Sequence, residues 1–238
     1  MPGLRIAMWS GPRNLSTAMM YAFGNRADTT AVDEPFYGAF LKESGIDHPM
    51  RTEVMAAMET DAAKVPALLR EYNTPFQYEK HMPHHMLPGF PLDWMAEENI
   101  THVFLLRHPA RVLASYLRKR EAPTAADLGF TTMDTIFQRV SNPIVVDSGD
   151  IRRDPEGMFK ALCMALGMPF DAAMLGWEAG PKPFDGPWAP HWYDAVHRST
   201  GMSGEEGPVP PVPSEYQAVV AEAEAVYARL SKITLSVR

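Results

Sequence analysis

Cysteine is almost missing from this chain: Cys163 stands alone among 238 residues, so no disulfide within the chain can brace its fold. It lies in an apolar stretch of helical spacing, FKALCMALG, and reads as a small buried residue. Positive charge is scarce as well. Twenty-two Lys and Arg face 29 Asp and Glu, a formal charge of −7, which argues against nucleic acid as a partner. Any cation that matters must act locally. No apolar run approaches the roughly 18 residues of a membrane helix. The opening stretch, MPGLRIAMWSGPRN, is broken by Gly and Pro before it reaches the apolar length of a signal peptide. The expectation is a cytoplasmic protein with no integral membrane segment. With 46% hydrophobic residues the chain can bury one sizeable core, and a single domain over residues 1–238 is expected.

What is present is an alternation of strand-like and helix-like segments. Leu4–Trp9 is a short apolar run, and LSTAMMYAFGN after it has helical spacing and closes at Gly24. Strands are predicted at Thr29–Val32, Phe76–Glu79, Thr101–Leu106 and Pro143–Val146, with a Pro- and His-rich loop over 81–91. Helices are predicted over roughly 50–72, over Leu92–Asn99, from His108-Pro109 to about Arg120, and over Pro155–Gly167. This order predicts an α/β protein: three layers, α/β/α, around a central parallel sheet. Residues 176–213 hold many of the prolines together with Trp177, Trp188 and Trp192, and read as a long irregular segment, a candidate lid. Its aromatics, through Tyr193, are either local core or one wall of a pocket. A final helix is predicted over 214–232.

Two segments carry chemistry. Gly11, Pro12, Arg13, Asn14, Leu15, Ser16 and Thr17 lie between the first strand and the first helix, where backbone N–H groups and the helix dipole favour an anion. An ATP- or GTP-binding loop starting at Gly11 would need Gly and Lys at positions 16 and 17, which hold Ser16 and Thr17. That weakens a nucleotide kinase or hydrolase, though an ordinary strand-to-helix turn remains open. In the second segment, VFLLRHPARVLASY, Arg107 leaves the carboxyl end of a buried strand and Ser115 sits on the helix that follows. Together they can hold one phosphate dianion through a charged fork and a hydroxyl; the alternative is a surface ion pair and a packing serine. Arg111, Arg118, Lys119 and Arg120 read as solvated helix charges.

The order Ser-Gly-Pro-Arg-Asn-x-Ser-Thr, then Arg-x-Pro with Ser eight residues after the Arg, resembles the donor-binding loops of sulfotransferases. The donor of these enzymes is 3′-phosphoadenosine-5′-phosphosulfate (PAPS). Val145–Pro155 and the FKALCMALGMPF after Met158 are similar to that family's late strand and Asp-Pro helix start, with Asp154 as helix cap and Asp150 ordering the strand end. The resemblance implies a P-loop NTPase-like sulfotransferase fold. It further implies PAPS as co-substrate, with Gly11–Thr17 on the 5′-phosphosulfate and Arg107 with Ser115 on the 3′-phosphate. Many members carry Lys where this chain has Arg13; a guanidinium stays charged, so Arg13 is expected to act electrostatically.

A base must take the proton of the acceptor, a small molecule or carbohydrate offering a hydroxyl or amine. Glu34, in Asp33-Glu34-Pro35, resembles the Glu-Pro motif of some bacterial carbohydrate sulfotransferases. His81, in Glu79-Lys80-His81-Met82-Pro83, resembles the Lys-x-His-x-Pro region of cytosolic ones, with Lys80 displaced by one position. Imidazole has the better ordinary pKa for the task, and His81 is preferred. His81, His84 and His85 lack a carboxylate or cysteine at a zinc spacing, and no metal is expected. Arg198, in HRSTGM, is a candidate cover for the 3′-phosphate by the same resemblance. A module that binds an adenosine bisphosphate without transferring anything is the remaining alternative.

Overall fold

A computed structural model describes residues 3–119, 122–202 and 204–237. Its sheet has five parallel strands, β1 (Leu4–Ser10), β2 (Thr29–Asp33), β3 (Phe76–His81), β4 (Ile100–Leu106) and β5 (Ile144–Asp147). They lie in the order β2-β3-β1-β4-β5. In chain order the helices begin with α1 (Ser16–Gly24), α2 (Tyr37–Ser44), α3 (Arg51–Ala57), α4 (Val65–Leu68) and α5 (Pro109–Arg118). There follow α6 (Phe130–Phe137), α7 (Ser148–Arg153), α8 (Pro155–Leu166), α9 (Ala189–Trp192), α10 (Asp194–His197) and α11 (Gln217–Leu230).

Successive side chains of a strand point to opposite faces, and here both faces are covered, which is why β1 and β4 read as almost unbroken apolar runs. Ile6, Met8, Val103 and Leu105 enter one core with Met19 and Phe23 of α1 and Phe159 and Leu162 of α8. Ala7, Trp9, Phe104 and Leu106 enter the other with Leu113 of α5, Met133 of α6 and Val220 of α11. The result is the three-layer α/β/α arrangement expected from the sequence. Cys163 is buried in the first core with its sulfur 3.7 Å from that of Met174. No described helix is long and apolar enough to cross a membrane.

Several boundaries differ from expectation. The helical region 50–72 is divided into α3 and α4, with Pro66 inside the second, and Leu92–Asn99 yields only a 3-10 turn at Asp93–Ala96. Helices α2 and α6 were not predicted. β3 runs on to His81, so His81 belongs to the sheet and not to the loop after it. Asp150 sits inside α7, paired with Arg153 at 2.7 Å, while Asp147 caps that helix by accepting from the Gly149 N–H at 2.7 Å. Asp154 does cap α8, accepting from the Gly157 N–H at 2.9 Å with Pro155 in the first turn. Arg120, the predicted end of α5, lies outside the described residues. Within the segment 176–213, Trp177 and Trp188 are buried, Gly176 bridges to Gly201, and α9 and α10 form short turns.

Candidate active site

The strand order reverses direction at β1: the chain moves from β1 outward to β2, returns through β3, and crosses to β4 on the other side. A crevice opens at the carboxyl ends of strands at such a point. The loop after β1 and Arg107 after β4 therefore leave neighbouring strands on the same edge. A cavity of about 610 Å³ lies there, within the range that holds drug-sized ligands.

One end of the cavity is formed by the first loop and the residues after β4. Pro12, Arg13, Asn14, Ser16 and Thr17 line it, and Arg107 and Ser115 line it with them. A Cβ at Gly11 would stand 2.8 Å from the Leu128 carbonyl oxygen, so only glycine fits beneath the loop. Asn14 ties the loop to β4: its side-chain N–H donates to the Leu105 carbonyl at 2.9 Å and its oxygen accepts from the Leu15 N–H at 2.8 Å. Arg13 has left-handed backbone, φ +57°, and its guanidinium lies over the rings of Tyr116 and Trp192, at 5.0 and 5.6 Å. Arg107 donates to the Arg13 carbonyl with one nitrogen and to the Glu206 carboxylate with another.

Glu206 reaches into a smaller adjoining cavity of about 320 Å³, walled by Arg107, Arg111, Arg118 and Arg152. Arg111 is not the solvated helix charge expected from sequence. Its guanidinium is 3.6 Å from the Glu206 carboxylate and donates to the Glu206 and Gly207 carbonyls, while Arg152 donates to the Gly204 carbonyl at 3.1 Å.

At the other end, β2 and β3 bring together a buried polar cluster. Lys80, 2% exposed, donates to Asp33 at 3.0 Å, to Glu34 and to the Tyr193 hydroxyl at 2.6 Å. Tyr193 donates in turn to Asp33 at 2.7 Å and accepts from the Trp188 indole N–H at 2.9 Å. Burial alone would release the Lys80 proton, but the charges of Asp33 and Glu34 outweigh it and hold the ammonium above its ordinary value. Burial pushes the Asp33 carboxyl up to about 6 against the pull of Lys80. Glu34 has left-handed backbone, φ +44°; one carboxylate oxygen accepts from Lys80 and the other lies 3.9 Å from His85 Nδ1. Glu34, Lys80, His84 and His85 all line the cavity.

His81 does not line it. Alternation along β3 sends Lys80 to the cavity side and His81 through the sheet, where it is 2% exposed, stacked 4.5 Å from Trp9 and 5.2 Å from Trp94. There His81 pairs with Glu79 at 3.0 Å, and Glu79 also accepts from Arg5 at 2.6 Å. Burial pushes this imidazole below 6.5 despite Glu79. Arg198 is also outside the cavity, exposed and paired with Asp194 one helical turn back. Among the described residues, no three His, Cys, Asp or Glu side chains are grouped to hold a metal ion.

An all-parallel five-stranded sheet covered by helices on both faces, with a loop and helix after β1 at the point where the strand order reverses, defines a doubly wound α/β fold. Residues 4–231 match the family model described as "Sulfotransferase domain", and the chain belongs to that family. It is 41% identical over 204 residues to branched-chain-amino-acid aminotransferase-like protein 1 of Arabidopsis thaliana, a match covering 83% of this chain and 36% of that protein. The chain thus spans little more than a third of that relative's length. The sulfotransferase domain of the Synechococcus PCC 7002 olefin synthase is similar with a TM-score of 0.57, at 15% identity and 95% coverage of each chain. That of the curacin biosynthetic pathway gives 0.54 at 14% identity, covering 94% of this chain and 98% of the other. At such identities the likeness speaks for the fold alone.

Sequence reasoning missed Lys80, Asp33, Tyr193, His85 and Glu206 as parts of the site. For Lys80 the signal was present: it and His81 are neighbours in a strand and cannot face the same side. For Tyr193 and Glu206 there was none, because both come from segments without periodicity.

Proposed function

We propose that this chain transfers a sulfuryl group from PAPS to a hydroxyl or amine of an acceptor. The observation that carries the reading is that one cavity is lined at one end by Arg13, Ser16, Thr17, Arg107 and Ser115 and at the other by Glu34 beside Lys80. The first set suits an anionic nucleotide with two separate phosphate positions: hydroxyls and a fixed guanidinium after β1, and a second guanidinium with a hydroxyl after β4. When bound, the donor supplies the sulfuryl group, and adenosine 3′,5′-bisphosphate is the product.

Arg13 stabilises negative charge on the transferred group and on the departing phosphate oxygen, and its guanidinium gives up no proton. Glu34 takes the acceptor proton as the acceptor oxygen or nitrogen bonds to sulfur and the bond from sulfur to phosphate oxygen breaks. His81, separated from the cavity by the sheet, has no part in this scheme. Lys80 fixes one oxygen of Glu34, so that the other is presented to the acceptor side. Arg107 does two things, holding the loop through the Arg13 carbonyl and offering its charge to the 3′-phosphate. The test is transfer of labelled sulfate from PAPS by wild type, Arg13→Ala and Arg107→Ala. Loss in both variants is expected, and transfer retained in both overturns these assignments.

A further inference from the structure

We propose that Tyr193 is a positioning residue for the transfer: acting through Lys80, it holds Glu34 so that one carboxylate oxygen faces the acceptor. This rests on the sulfotransferase reading, in which Glu34 is the base. Tyr193 joins α9 to α10, its N–H donating to the Ala189 carbonyl at 2.8 Å and its carbonyl accepting from the His197 N–H at 2.8 Å. It belongs to the irregular segment 176–213, and its side chain reaches Asp33 on β2 and Lys80 on β3, 160 and 113 residues earlier in the chain.

The hydroxyl stands between a cation and an anion, a place that needs a group able to accept and donate at once. It accepts from the Lys80 ammonium at 2.6 Å and from the Trp188 indole N–H at 2.9 Å. Both lone pairs are thereby filled. Its single proton is left one direction, toward Asp33, whose two carboxylate oxygens lie 2.7 and 2.9 Å away. Burial, with the charges of Asp33 and Glu34, pushes this hydroxyl well above 10, so the proton stays. Gly186 completes the hold on Asp33, its N–H donating at 3.1 Å. A Cβ at Gly186 would stand 2.2 Å from the buried Trp188 ring, so only glycine lets the indole fold back toward Tyr193.

Two carboxylates compete for Lys80: Asp33 Oδ1 accepts from it at 3.0 Å, and Glu34 Oε1 accepts from it as well. With Tyr193 in place, the third ammonium N–H and the remaining capacity of Asp33 are both taken up. Lys80 stays shared, and Glu34 keeps one oxygen on it. The other Glu34 oxygen is 3.9 Å from His85 Nδ1, among the residues that line the cavity. Without the hydroxyl, a buried ammonium N–H and a buried carboxylate oxygen each lose a partner. The nearest repair turns Lys80 to Asp33 and releases Glu34, and a reacting group misplaced by about 1 Å costs about a hundredfold in rate.

The test follows labelled sulfate released from PAPS with water as acceptor, so no other acceptor has to be identified. Glu34 takes a proton from water as the water oxygen bonds to sulfur, and the bond from sulfur to phosphate oxygen breaks to leave sulfate and adenosine 3′,5′-bisphosphate. Tyr193→Phe keeps the ring and removes only the hydroxyl. Its kcat is expected to fall about 10- to 100-fold. KM for PAPS and affinity for the bisphosphate are expected to stay within about twofold, as when an interaction is lost in the transition state alone. In the Glu34→Gln background, with no base left to position, the same change is expected to lower the rate by less than about twofold. An unchanged kcat in Tyr193→Phe overturns the proposal; so does an equal loss in both backgrounds or weakened bisphosphate binding, since either marks a structural role. Wild type that binds the bisphosphate but releases no more sulfate than Glu34→Gln also overturns it and leaves the donor reading standing. Wild type that does not bind the bisphosphate removes the donor reading as well.

Discussion

Arg13 and Glu34 are two of the four non-glycine residues with left-handed backbone among those described, and both stand where a strand delivers the chain to the cavity. Such conformations cost of order 1–3 kcal/mol and persist where neighbours over-determine them. Here the neighbours are visible: Arg107 and Asn14 pin the first loop, and Lys80 pins Glu34. The two candidate bases separate cleanly at this scale. Glu34→Gln keeps the shape and the bond to Lys80 but cannot take a proton, and a loss of roughly 10²–10⁴ in the rate of transfer is expected. His81→Gln should stay within about threefold of wild type, since His81 lies behind the sheet against Trp9, Trp94, Phe36 and Glu79. The reverse order of rates would return the base to His81. Lys80→Met leaves Asp33 and Glu34 buried without their cation, and urea unfolding is expected to show a loss of about 3–5 kcal/mol. A loss below about 1 kcal/mol would mean that the cluster is hydrated and weakly coupled.

At the scale of elements, the parallel sheet was legible because β1 and β4 are apolar on both faces and each is followed by a loop with Pro and a helix. The cavity end formed by Gly11–Thr17 and Arg107 was legible for the same reason: these are local patterns set by the strand before them. The other end was not, because Glu34, Lys80, His85 and Tyr193 come from four segments and meet only in space. Strand parity carries His81 away from the cavity, a placement that follows once the strand expected at Phe76–Glu79 is extended by two residues to His81. Helix α2 escaped notice because it is eight residues long with Gly38 in its first turn, and its apolar face, Tyr37, Phe40 and Leu41, is filled by packing rather than propensity. Segment 204–207 had no pattern at all, yet Glu206 lies on Arg107, the guanidinium assigned to the 3′-phosphate. Glu206→Gln removes a charged competitor for that arginine, and affinity for adenosine 3′,5′-bisphosphate is expected to rise about three- to tenfold, with AMP affinity unchanged. Weaker bisphosphate binding in the variant would show that Glu206 supports the site and does not compete for it.

For the molecule as a whole, the net charge of −7 and the concentration of arginine in one crevice agree with local anion binding on an otherwise acidic protein. Its polar interior also fixes a pH dependence. Burial pushes His48, His81, His84, His85, His102 and His108 below 6.5, with His102 at about 4. The folded state thus resists protons that the unfolded chain accepts, so this stability is present above pH 6.5 and is lost as pH falls toward the folded values. Burial raises Asp33, to about 6, and Asp147, and these two act in the opposite sense below pH 6. With six groups against two, the urea midpoint is expected to be lower at pH 5 than at pH 7.5; an equal or higher midpoint at pH 5 would contradict the buried, neutral state of the histidines.

Arg13 and Arg107 are proposed to mark two phosphate positions of one nucleotide, and calorimetric titration with adenosine 3′,5′-bisphosphate, AMP and Mg²⁺-ATP tests this most directly. Clear preference for the bisphosphate over AMP is expected, lost in Arg107→Ala; equal binding of AMP, or preference for Mg²⁺-ATP, would contradict the two-phosphate assignment.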